Sequence, residues 1–153
     1  MGKKKVESRN AVSNQILYKE IDLIQGCINR MASNSFTCKG WNLTLISGIF
    51  ALSKDINKVV LCIFILCINI CFWWLDTFFL LQERRYRNKY NWVIKNRLIG
   101  NTEYLYDLNP KNETTQDNCM RCIRLKDFFS LTTTPMYVGI TVMAIVCLIY
   151  KLK

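Results

Sequence analysis

Residues 59–81 read VVLCIFILCINICFWWLDTFFLL, and the chain then turns at once into QERRYRNKY. A run of that length, with Asn69 its one amide and Asp76 its one acid, reaches across a hydrocarbon layer about 30 Å thick at about 1.5 Å of helix rise per residue. The cations that follow resist entry into lipid and mark the cytoplasmic side. This junction predicts a helix that crosses the membrane and leaves it as a basic helix.

The remaining apolar content is bunched at 41–52 and 135–150, while 83–127 is polar. A formal charge of +10 would point to nucleic acid in a soluble chain. Position decides otherwise. Seven of the Lys and Arg residues precede Trp41 and ten lie between Arg84 and Lys126, against two in the link at Lys54 and Lys58 and two in the tail. With three spans and a cytoplasmic amino terminus, this is a positive-inside bias, so topology accounts for the basicity and nucleic acid is disfavoured as a partner.

No histidine is present, which removes Ser-His-Asp and Cys-His catalysis and the commonest zinc ligand. Of eight cysteines, Cys62, Cys67, Cys71 and Cys147 fall in predicted spans, where a thiol acts as a small apolar group. Cys119-Met-Arg-Cys122 has metal-like spacing but no second ligand pair, and Cys27 and Cys38 would have to approach it to complete a site. Asn112-Glu-Thr fits a glycosylation acceptor but lies on the expected cytoplasmic side. The expectation is a non-enzyme with no cofactor and no metal.

Along the chain, residues 1–35 read as a basic tail, disordered over 1–13, and an amphipathic helix whose seam is Leu17, Ile21, Ile24, Ile28 and Met31. Residues 36–82 form a transmembrane hairpin around the charged link 54–58, and 83–130 a cytoplasmic basic helix followed by a polar loop. Residues 131–153 make a third, C-terminal transmembrane helix, opened by Thr134 and Pro135. The fold class is an all-α membrane protein.

Counting from the link, Lys39 and Asp76 come within about 5 Å of the same height and are expected to pair across the hairpin. Gly40, Thr44 and Gly48 recur every fourth residue, a small face that lets membrane helices pack closely. Asn69, near the middle of its span, needs a polar partner, which its own copy around a symmetry axis would supply. Arg84, Arg85, Arg87 and Lys89 are expected to hold anionic lipid headgroups, each worth about 1 kcal/mol near the surface.

The blocks Arg30-Met-Ala-Ser-Asn-Ser-Phe, Lys39-Gly-Trp and Trp74-Leu-Asp-Thr-Phe-Phe-Leu-Leu-Gln-Glu-Arg-Arg-Tyr-Arg resemble signatures of a widespread, largely uncharacterised family of small bacterial helical-hairpin membrane proteins. The likeness covers roughly residues 20–97. It implies a helical hairpin with a cytoplasmic helical extension, carries no established activity, and does not include Cys119 or Cys122. The expectation is a multi-pass protein of the bacterial inner membrane with its amino terminus cytoplasmic. It would self-associate as a homo-oligomer, as a pore-type effector in a stress or defence system. The alternative is an anchor or adaptor for a cytoplasmic protein partner.

Overall fold

The computed structural model describes residues 2–52, 57–110 and 133–152, with side chains described over 14–52, 57–110 and 133–150. Three helices make up the described chain: α1 (Gly2–Leu52), α2 (Lys58–Leu98) and α3 (Thr134–Leu152). No strand occurs among the described residues. One helix, α2, is long and apolar enough to cross a membrane, and the apolar stretch of α3, Thr134–Tyr150, is shorter.

The expected disorder over 1–13 is corrected, because α1 is helical from Gly2 and runs unbroken through both segments read as separate helices. The physical reason is the lack of a breaker. No proline interrupts α1, and an interior glycine such as Gly26, Gly40 or Gly48 costs only about 1 kcal/mol relative to alanine. Neighbouring good formers carry the helix across each one.

Local chemistry sets the ends of α2. The Asn57 side chain accepts the Val59 N–H at 3.1 Å and its carbonyl accepts the Leu61 N–H at 3.0 Å, an N-cap. At the other end Lys95 and Arg97 lie in the last turn, where cations favour the helix dipole. Gly100 then adopts φ +83°, its N–H reaching the Arg97 carbonyl and the Asn101 N–H reaching Asn96. That paired pattern is a Schellman cap, and it needs the left-handed residue that glycine provides. In α3 the Thr133 carbonyl takes the Tyr137 N–H, so Pro135 sits in the first turn, where a missing N–H is harmless.

The chain forms two compact units, each built from part of α1 and part of α2. The first comprises Met1–Met31 and Gln82–Arg121. Its core is Ile24, Ile28 and Val93, packed by Leu17, Tyr86, Tyr90, Trp92 and Leu108. The Leu17 seam thus meets the Tyr86–Val93 stripe of its own chain.

The second unit comprises Ala32–Leu81 and Cys122–Lys153. Leu61, Ile65 and Ala144 form a small apolar cluster with Ile46, Ile49, Leu66 and Ile140 around it. Beside that apolar core the unit buries several polar groups and exposes many large apolar ones. Ser35, Asn42, Asn69, Asp76 and Thr77 are buried, while Leu45, Val60, Ile63, Phe64, Ile70 and Val146 are exposed.

Candidate functional site

The buried polar groups of the second unit come from all three helices at helical spacing. Ser35 and Lys39 lie one turn apart on α1, Asn69 and Asp76 two turns apart on α2, and Tyr137 and Thr141 one turn apart on α3. Lys39 Nζ stands 2.8 Å from Asp76 Oδ2 and 3.0 Å from Oδ1. It also donates to Ser35 Oγ at 2.9 Å, and the Ser35 hydroxyl in turn donates to Asp76 Oδ1. Asp76 is fully buried, whereas the Lys39 side chain keeps 22% of its exposure.

The third helix closes this end of the network. The buried Tyr137 hydroxyl interacts with the Asp76 carboxylate without a hydrogen bond of regular geometry. The Tyr137 ring stacks on Trp73 at 5.9 Å and 2°. A buried carboxylate with a cation and a hydroxyl around it is electrically compensated. Removing one partner would leave a charge with nothing to offset it.

Asn69 has a different set of partners. Asn42 Nδ2 donates to its Oδ1 at 2.9 Å, and its own Nδ2 donates to the Tyr137 carbonyl and to Thr141 Oγ1, both at 3.0 Å. The Thr141 hydroxyl donates to the same Tyr137 carbonyl at 2.8 Å. The expected pairing of Asn69 with its own copy is therefore corrected: Asn42, Tyr137 and Thr141 of the same chain satisfy it. Asn42 Oδ1, among the described residues, is a buried acceptor left without a hydrogen bond, as are Asp76 Oδ2, which has the Lys39 ammonium beside it, and the Tyr137 hydroxyl.

Gly40, Thr44 and Gly48 are exposed, and a methyl group built on either glycine would meet nothing within 4 Å. Thr44 turns its hydroxyl back to the Gly40 carbonyl at 2.9 Å. This small face is packed by no other helix of the chain among the described residues.

Three of the four cations expected at the membrane surface remain partly or fully accessible. Arg84 is exposed, Arg85 is half-buried and reaches Gln82 Oε1 at 3.5 Å, and Arg87 pairs with Glu83 at 2.7 Å across one helical turn. Lys89 is a correction. It is 1% exposed and donates to the Asn109 carbonyl at 2.9 Å, so its ammonium ties down the chain after α2 and is not presented at the surface.

A second buried ion pair lies in the first unit and was not anticipated. Arg97 grips Glu20 with two parallel bonds, Nε to Oε2 at 2.9 Å and Nη2 to Oε1 at 2.8 Å. Its Nη1 holds the Asn101 and Glu103 carbonyls at 2.6 and 3.0 Å, and its guanidinium lies over the Trp92 ring at 5.8 Å. Glu20 also accepts the Tyr106 N–H at 3.2 Å. A signal existed: Glu20 stands three residues after Leu17 and four before Ile24, on the same face as the apolar seam.

Nearby, burial followed by the Cys27 thiol holds the Tyr86 phenol above its ordinary range. No group of three or more potential metal ligands occurs among the described residues. Cys119, Cys122 and Asn112 lie outside them, as does most of the 54–58 link. The two buried ion pairs neutralise themselves, and Asn69 is satisfied within the chain. No protein-family model, curated protein or solved structure matches the chain.

Proposed function

We propose that this is a non-enzymatic, multi-pass protein of the bacterial inner membrane, amino terminus cytoplasmic, that self-associates and serves a stress or defence system as a membrane effector. The observation that carries the reading is that the second unit buries amides, hydroxyls and an ion pair beside its apolar core while many branched aliphatic and aromatic side chains are exposed. Such a surface suits hydrocarbon and would be an aggregation hazard in water. The 36–52 part of α1, the apolar part of α2 and α3 are its three proposed spans. Arg84 and Arg87 then meet anionic headgroups where α2 leaves the bilayer.

Self-association uses the open Gly40/Thr44/Gly48 face, whose small side chains let a second helix approach. A lumen lined by Asn69 would require breaking its in-chain bonds, which favours the second reading, an anchor that holds the first unit at the membrane for a cytoplasmic protein partner. Reporter fusions at residue 110 and at the carboxyl terminus test the topology and are expected on opposite sides. Both on one side would remove the first or the third span. The mass of the detergent-solubilised protein tests assembly, and a monomer at every concentration would defeat it. Ion flux through reconstituted liposomes separates a pore from an anchor.

A further inference from the structure

Five apolar side chains crowd the end of α2 and the chain that follows. Leu98 and Ile99 are 78% and 82% exposed, and Tyr104, Leu105 and Tyr106 are each exposed as well. They come well after the apolar run ends at Leu81, with six Lys or Arg residues between, so a bilayer that takes up residues 59–81 does not cover them.

The segment is held, not loose. Arg97 fixes the carbonyls of Asn101 and Glu103, Glu20 fixes the Tyr106 N–H, and Lys89 fixes the Asn109 carbonyl. Tyr104 and Tyr106 have φ of +56° and +58°, a left-handed conformation that large side chains seldom hold. Burying an ion pair and a lysine to keep two tyrosines in strained, exposed positions is a costly way to make a loop. Strain retained in this manner marks a site of use.

We propose that Leu98, Ile99, Tyr104, Leu105 and Tyr106 form a second self-association surface, occupied by the same patch on a neighbouring copy in the same membrane. The inference rests on the membrane reading above. Copies that cross one bilayer in one orientation carry this patch on the same side of it, so a two-fold axis along the membrane normal brings like to like. Confinement to the plane raises the effective concentration, and a pinned loop has little ordering entropy left to lose. The rim fits a second copy too. Lys95 and Glu103 are exposed, form no ion pair among the described residues, and carry opposite charges that a two-fold contact can pair reciprocally. Tyrosine, leucine and isoleucine inside a charged rim is the usual anatomy of such an interface.

The test uses the full chain in membranes, with the photoreactive residue p-benzoylphenylalanine placed at position 99 and, as a control, at the exposed Asn88. Position 99 should give a product of twice the monomer mass, about tenfold above position 88, and Leu98→Asp with Ile99→Asp should remove it. If the double variant misfolds by circular dichroism, Lys95→Glu serves instead. It should weaken the product, and adding Glu103→Lys should restore it. A product no stronger than the control, one within a single chain, or one joined to a different protein would each overturn the proposal. Alkaline carbonate extraction is run in parallel. Release of the chain would sink both readings, whereas a retained chain without the dimer would sink the patch alone.

Discussion

Among the described residues, each unit buries an ion pair, and these two pairs live in opposite company. Arg97 and Glu20 meet through two parallel bonds, with side chains 7% and 1% exposed, and they are wired to backbone groups at residues 101, 103 and 106. Lys39 and Asp76 meet with Lys39 partly accessible, and their other neighbours are hydroxyls, those of Ser35 and Tyr137. The first pair organises a segment that has no secondary structure of its own. The second neutralises charge within a unit that exposes many large apolar side chains. Similar side chains therefore perform a folding task in one place and a solvation task in the other.

The comparison breaks most readily at Arg97. Arg97→Ala leaves Glu20 buried without a cation and releases the loop carbonyls, an expected loss of about 3–5 kcal/mol in thermal or denaturant unfolding. Asp76→Ala should cost less, about 2–3 kcal/mol, because the stranded Lys39 retains access to solvent. In a double-mutant cycle, Lys39→Ala with Asp76→Ala should cost less than the sum of the singles, and strict additivity would mean that the two groups do not interact. If Arg97→Ala proved no worse than Asp76→Ala, the claim that backbone wiring distinguishes the pairs would fail.

Smaller effects sharpen the contrast. Asn69→Leu removes two donated hydrogen bonds and one accepted one from the second unit and strands its partners, for about 1–3 kcal/mol. A detergent unfolding series that found it neutral would show that the amide network is dispensable. Gly100→Ala, forced to keep φ +83°, should cost about 1–2 kcal/mol and act on the loop-bearing unit first. Hydrogen exchange at residues 101–109 would register it. The least effect is expected at Tyr86. Its raised phenol means that the folded state holds the proton more tightly than the unfolded chain does. Stability is then complete below the ordinary phenol value of 10 and falls as pH rises through the higher folded value. Tyr86→Phe should flatten that alkaline decline.

Helix content was legible from period and punctuation: the seam from Leu17 to Met31, the apolar run 59–81 with its basic continuation and Pro135 near a start all fall where helices begin or pack. The Lys39–Asp76 contact was reachable by counting rise from the link. What escaped was whatever depends on facing direction between helices. Nothing local distinguishes Lys89, turned inward to a carbonyl, from Arg87 two residues earlier, turned outward to Glu83. Asn69 was expected to seek a partner, but its spacing along α2 does not reveal that Asn42 and Thr141 stand opposite. The unbroken α1 was missed because polar, basic composition was read as disorder, although that stretch contains no residue that stops a helix.

The Asn42–Asn69–Thr141 chain also restricts how this sequence can drift. An amide at 69 is affordable only while positions 42 and 141 keep groups able to answer it, and losing any one of the three leaves its neighbours worse off than losing all of them together. Substitution at these three positions should therefore occur in linked steps, polar for polar or all to aliphatic at once. Positions such as Ile63, Ile70 and Val146, whose side chains point away from the bundle, should change independently of one another and of the triad. Correlated replacement at 42, 69 and 141 would then serve as a hereditary fingerprint for distant kin whose overall sequence has diverged past recognition.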